Sequence, residues 1–151
     1  MDEAKRPKAE NVDLIVKSTW LALNRMFSEQ AQNMDATVVQ GLALLKIDPK
    51  NGTRSTNLGP KMAIEPTSLT RIVKLLADEG YIYKDKSGAD KREVILKLTP
   101  KGLHHRDLSK KFVMDFNRMV AERIPQNKLE IFKEVMTEIQ KVATEINRNN
   151  K

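Results

Sequence analysis

The chain has 151 residues, 40% of them hydrophobic, no cysteine and a formal net charge of +7. That length and apolar content suffice for one ordinary domain with a buried core, and the absence of cysteine excludes disulfides, thiolate catalysis, thiol redox sensing and Cys-ligated zinc. The opening "MDEAKRPKAENV" is polar and no apolar run nears the ~18 residues of a membrane span, so the chain reads as soluble and cytoplasmic, with no membrane partner.

The first strong period is "NVDLIVKSTWLALNRMFSEQAQNM", in which Val12, Ile15, Val16, Thr19, Leu23, Met26, Phe27 and Met34 recur at helical spacing. Asp35 is placed to cap a second helix through "ATVVQGLALLKI", with Val38, Leu42 and Leu45 as its stripe. Asp48-Pro49 and Asn51-Gly52 then stop it. "STNLGPKMAI" is at best a short, weak helix, because Gly59 and Pro60 lower its propensity and proline is tolerated only near a first turn.

The segment from Pro66 to Asp78 is clearer. Pro66 suits a first helical position, Leu69, Ile72, Val73 and Leu76 form the buried stripe, and Gly80 terminates it. "YIYK" and "REVILKL" flank the turn "DKSGAD" and read as a hairpin with a basic tip. Thr99-Pro100 opens a long helix through Leu103, Leu108, Phe112, Phe116, Met119 and Val120. Ile124-Pro125 interrupts it, and a last helix carries Leu129, Phe132, Val135, Met136, Ile139, Val142 and Ile146. The expected fold is mainly α with a small β-hairpin: a winged helix-turn-helix flanked by long helices at both ends.

Charge points to the same central region. Between Lys50 and Gly102 eleven basic side chains face six acidic ones, and eleven minus six leaves +5 of the total +7. Such a focus suggests a polyanionic partner. Removing the buried stripe from the Pro66–Asp78 helix leaves Thr67, Ser68, Thr70, Arg71 and Lys74 outside. Hydroxyls and cations weighted toward a helix N-terminus suit a DNA major groove, although any solvated helix face carries the same residue types.

In "DKREVILKLTPKG" Val94, Leu96 and Leu98 alternate onto one side, and counting back by twos puts Arg92 and Asp90 on that apolar side. Either the strand ends before Arg92, or the guanidinium serves something outside the protein. Asp90 and Arg92 can form a solvated ion pair worth ~0.5 kcal/mol, or Asp90 can hold Arg92 extended toward a minor groove. The neighbouring Lys84, Lys86 and Lys91 favour the second reading.

"EPTSLTRIVKLLADEGYI" followed by "DKREVILKLTPKG" resembles the MarR family of winged-helix transcription regulators. The likeness to its wing pattern rests on Asp90, Arg92, Leu98, Thr99 and Gly102, and covers residues 10–148 when the flanking helices are included. The resemblance implies a single MarR-like domain over 1–151, with a winged DNA-binding part at 36–99 and dimerisation helices at 10–34 and 100–148. It also implies major-groove contacts from Thr67, Ser68, Thr70 and Arg71, and a minor-groove finger in Arg92. This chain departs from the family at "LGPKMAIEP", where Gly59 and Pro60 are expected to shorten the preceding helix and Lys61 to take over a phosphate contact.

The expected partners are double-stranded DNA and a second copy of the chain. The terminal stripes exceed what one small core can cover, and a palindromic operator needs recognition helices about 34 Å apart. The alternative is that these helices pack on their own domain. The resemblance further implies an aromatic or lipophilic effector, for which Trp20, Met26, Phe27, Met34 and Phe112 are candidate lining residues; ordinary core packing is the competing assignment for each.

No cofactor, metal or enzymatic activity is expected. His104 and His105 are adjacent, and neighbours on a helix point about 100° apart, so the two cannot chelate one ion. His104 with Asp107 supplies two ligands at most. The function expected is a sequence-specific DNA-binding regulator, a repressor under effector control; the rival is a winged-helix module that binds protein and uses its basic surface for solubility.

Overall fold

The computed structural model describes residues 11–88 and 92–149. In chain order these form α1 (Val12–Gln32), α2 (Val38–Lys46), β1 (Thr53–Arg54), α3 (Ser55–Met62), α4 (Pro66–Asp78), β2 (Ile82–Asp85), β3 (Ile95–Leu98), α5 (Pro100–Arg123) and α6 (Gln126–Asn149). The chain divides into two compact units, one ending at Ser109 and one beginning at Lys110.

In the first unit, Ala43, Leu44, Ile47, Leu58, Met62, Val73, Leu76, Tyr81, Ile82 and Leu96 make the core. These residues come from α2, α3, α4 and the sheet, so the helix-turn-helix is held from behind by the strands. α2 begins at Thr37, whose hydroxyl accepts from the Gln40 N–H while the Gln40 side chain accepts from the Thr37 N–H. This capping box replaces the cap expected from Asp35, which instead sits in the left-handed region at φ 50°. The buried face of α2 is Gln40, Ala43 and Leu44. Leu42, expected inside, is exposed, because α2 turns the smaller Ala43 and the paired Gln40 toward its neighbours.

α3 runs through Pro60 and is a full two turns, more regular than propensity predicts. Burial of Leu58, Gly59 and Met62 outweighs the helix-breaking residues. A Cβ built on Gly59 would lie 3.2 Å from Leu69 Cδ2, so this position lets α4 pack closely. Ala63 closes α3 at φ 53°, and Ala63, Ile64 and Glu65 form the turn into α4.

The expected hairpin is a three-stranded antiparallel sheet of order β1-β3-β2. β1 lies in a stretch read from sequence as a connection, and pairs Thr53 with Leu96 and Arg54 with Ile95. Thr53 is buried, and its hydroxyl accepts from the Asp48 N–H at 3.0 Å. β2 and β3 pair Ile82 with Leu98 through Asp85 with Ile95. Because β3 begins at Ile95, Arg92 lies before the strand and its parity carries it nowhere near the core.

In the second unit, α5 runs to Arg123 and α6 starts after Pro125. Exposed ion pairs Lys111–Asp115, Arg118–Asp115 and Lys141–Glu138 decorate this unit. Its helices leave Met114, Met119, Ile131, Phe132, Val135, Val142 and Ile146 exposed. Among the described residues no helix is long and apolar enough to cross a membrane.

Candidate nucleic-acid interface

α4 is amphipathic along its whole length. Val73 and Leu76 are buried, with Leu69 and Ile72 packed against the core, which forces Thr67, Ser68, Thr70, Arg71 and Lys74 outward, and all five are exposed. Pro66 occupies the first turn, and the Glu65 side chain makes no capping hydrogen bond. The N–H groups of this turn are therefore not satisfied by a cap, and they favour an anion such as a DNA phosphate.

The five side chains are not equivalent. Thr70 donates its hydroxyl proton to Pro66 O at 3.1 Å, which leaves it lone pairs and a methyl group for a base edge. Lys74 is paired with Asp78 at 2.5 Å. Arg71 makes no side-chain hydrogen bond or ion pair among the described residues, so its fork of donors is available for two parallel bonds to a guanine or a phosphate. Lys61, in the last turn of α3, is likewise exposed.

Across the sheet, Asp85 Oδ1 accepts from the Ser87 N–H at 2.8 Å and Asp85 Oδ2 pairs with Lys97 at 2.7 Å. The Lys97 ammonium, and then Ser87, hold the Asp85 carboxyl below its ordinary range, and Asp85 in turn raises the Lys97 pKa. Arg54 of β1 pairs with Glu93. These ion pairs fix the base of the wing. Beyond them Lys84 and Lys86 are exposed. Arg92 is exposed in the turn before β3 and engages a partner of its own. Asp90 and Lys91 lie outside the described residues, and with them the expected pairing of Asp90 with Arg92.

The charge excess of the central region includes Arg54 and Lys97, whereas Arg54 is paired with Glu93 and Lys97 with Asp85. Sequence reasoning missed Gln40, which is 3% exposed and reaches from α2 to donate to Glu79 Oε2 at 2.6 Å. The signal was legible: Thr37-Val-Val-Gln40 is a Ser/Thr-x-x-Gln capping pattern.

Of the candidate effector-lining residues, Trp20, Met26 and Phe27 lie on α1 and Met34 just after it; Trp20 is exposed and the other three half-buried. Phe112 is half-buried in the second unit. His104 and His105 stand with ring planes at 83°. Among the described residues no group of three or more His, Cys, Asp or Glu side chains is placed to hold a metal ion.

The model of the MarR family matches residues 36–94. Among solved structures, the chain is similar to that of the S. aureus MepR–DNA complex, at 13% identity and a TM-score of 0.77, over 87% of this chain and 96% of that one. It is similar to the transcription regulator MarR from Oenococcus oeni PSU-1, at 16% identity and a TM-score of 0.73, over 86% and 98%. It is also similar to the PcaV transcriptional regulator from Streptomyces coelicolor in complex with its natural ligand, at 16% identity and a TM-score of 0.70, over 93% and 99%. At such identities the likeness establishes the fold. No curated protein matches the chain.

Proposed function

We propose that this chain, which carries a MarR-family domain at residues 36–94, is a sequence-specific DNA-binding transcription regulator of the cytoplasm, a homodimeric repressor acting at a palindromic operator. The observation that carries the reading is the outer face of α4, where Arg71, without a side-chain partner among the described residues, stands among exposed Thr67, Ser68, Thr70 and Lys74. α4 enters the major groove, Lys61 and Lys74 meet phosphates, and the wing with Lys86, Lys91 and Arg92 reaches the adjacent minor groove. Asp90 steers Arg92.

Dimerisation is supported by what each unit leaves uncovered. α1 exposes Leu14, Ile15, Trp20 and Leu21, and α6 exposes Ile131, Phe132, Val135, Val142 and Ile146. Large apolar side chains at helical spacing on both terminal elements are characteristic of surfaces covered by a partner. Control by a small aromatic or lipophilic effector is supported by the similarity to a regulator solved with its natural ligand.

The test is a salt series on a palindromic duplex taken from the DNA flanking the gene. With six or more phosphate contacts per dimer, affinity falls by roughly 10³-fold or more between about 50 and 200 mM salt. A nearly salt-independent affinity refutes the reading and favours the protein-binding module.

A further inference from the structure

Three consecutive backbone carbonyls follow the end of α4, and all three are bound by the segment that opens α5. Lys101 Nζ donates to Glu79 O at 2.8 Å, Thr99 Oγ1 to Gly80 O at 2.6 Å, and the Thr99 N–H to Tyr81 O at 3.1 Å. The same Thr99 hydroxyl caps α5 by accepting from the Gly102 N–H at 3.0 Å. One oxygen thus joins the end of one helix to the beginning of another. The approach is so close that a Cβ on Gly102 would fall on the Tyr81 carbonyl oxygen. The Lys101 ammonium lies 4.3 Å from the Tyr81 ring centroid, and His105, one turn along α5, meets that ring edge-on at 4.8 Å.

The electrostatics of α4 call for this arrangement. Its last turn carries no basic residue, and the helix ends in Asp78 and Glu79. Acids at the negative pole of a helix are unfavourable, whereas a cation there stabilises the free carbonyls. Lys74 offsets Asp78 from within the helix and Gln40 binds Glu79 from α2. Lys101 supplies the missing cation from α5.

We infer that Thr99 and Lys101 are positioning residues that fix the recognition helix to α5 and so determine which operator spacing the protein accepts; the inference rests on the DNA-binding reading above. α5 opens at Pro100, directly after Thr99 and within the unit that contains α4. A recognition helix clamped at its C-terminal end to α5 takes its direction from α5. In a dimer, the distance between the two recognition helices then depends on that clamp.

The test uses the full chain and a palindromic duplex obtained by selection from a random pool, remade with its half-sites moved one base pair closer or farther apart. Thr99→Val removes the hydroxyl and keeps the shape, and Lys101→Met removes the cation and keeps the stem. Thr99→Ser and Lys101→Arg keep the donors. The wild type and the two conservative variants are expected to prefer one spacing sharply. Thr99→Val and Lys101→Met are expected to bind that spacing about tenfold more weakly and to lose most of their discrimination against the other two. A loss that is equal at every spacing, or binding unchanged in all four variants, overturns the inference. If the wild type selects no duplex, the DNA reading itself has failed, and amide hydrogen exchange then decides the clamp. In Thr99→Val, exchange should quicken together in the last turn of α4 and the first turn of α5; quickening confined to α5 overturns it.

Discussion

Arg71 and Lys74 sit three residues apart on the same exposed face of α4, yet the structure assigns them different consequences on removal. Arg71 has no side-chain partner among the described residues, so Arg71→Ala removes nothing that holds the fold, and stability should stay within ~0.5 kcal/mol of wild type. If its guanidinium grips a guanine through two bonds, the loss on the cognate duplex is about 1–3 kcal/mol, or roughly 5- to 150-fold in Kd. On a duplex with that guanine replaced, wild type and variant should bind alike. Lys74→Ala breaks an exposed i,i+4 pair with Asp78, worth at most ~0.5 kcal/mol to the helix. It should weaken binding to cognate and non-cognate duplexes by the same factor, and reduce the dependence of log Kd on log salt by about one for each protomer. Fluorescence anisotropy on both duplexes at three salt concentrations, with a melting curve for each variant, measures all of this. The reasoning is refuted if Arg71→Ala weakens both duplexes equally, or if Lys74→Ala alters sequence preference while leaving the salt slope intact.

Two further expectations concern the fold that presents this face. Gly102→Ala forces a Cβ onto the Tyr81 carbonyl oxygen and should cost about 3 kcal/mol. Gly80→Ala meets no atom within 4 Å and strains only a φ of 75°, at about 1 kcal/mol; equal melting temperatures for the two variants would contradict the geometry. His105 is held below its ordinary pKa of 6.5 by burial first, then by the charges of His104 and Lys101, with Asp35 opposing. The unfolded chain therefore takes up a proton that the folded chain resists, so this contribution to stability is full above the unfolded value and is lost as pH falls from about 7 toward the folded pKa, where the loss levels off. His105→Phe, which keeps a ring against Tyr81, should flatten the melting temperature between about pH 7 and 5; an unchanged slope assigns it to other groups.

The signals within α4 sufficed to place it, whereas the pairing that makes β1 is non-local. The bounds of α4, Pro66–Asp78, follow from a proline in the first turn, a stripe at helical spacing and a glycine terminator, all within one segment. β1 has only two residues and exists because Thr53 and Arg54 meet Leu96 and Ile95, some forty positions away. No period can announce a two-residue strand. On α2 the largest apolar side chains suggested Val38, Leu42 and Leu45 as the inner stripe, yet packing chose the face containing Ala43 and Gln40. An amide can be buried there because Thr37 and Glu79 satisfy it. Propensity argued against α3, and burial of Leu58 and Met62 overrode it.

The candidate interface divides in the same way, and the division alters what the basic excess means. A count of cations treats Arg54, Lys74, Lys97, Lys101 and Arg71 alike, because a sequence does not show which carboxylate or carbonyl each will meet. Arg54 is paired with Glu93, Lys97 with Asp85, Lys74 with Asp78, and Lys101 binds Glu79 O. The net charge of the region is unchanged by pairing, so long-range attraction to a polyanion survives. What pairing alters is which side chains can form short contacts without first giving something up. Lys74 exchanges an exposed pair of at most ~0.5 kcal/mol for a phosphate at little cost. Lys101 is engaged with the end of α4 and the Tyr81 ring, and would have to give up both to meet a phosphate. Among the described residues of this region, Lys50, Lys61, Arg71, Lys84 and Lys86 are left as exposed cations without an ion pair, and of these Arg71 projects from α4. Sequence specificity should therefore concentrate on few base pairs per half-site, with most of the affinity carried by phosphate contacts that do not depend on sequence.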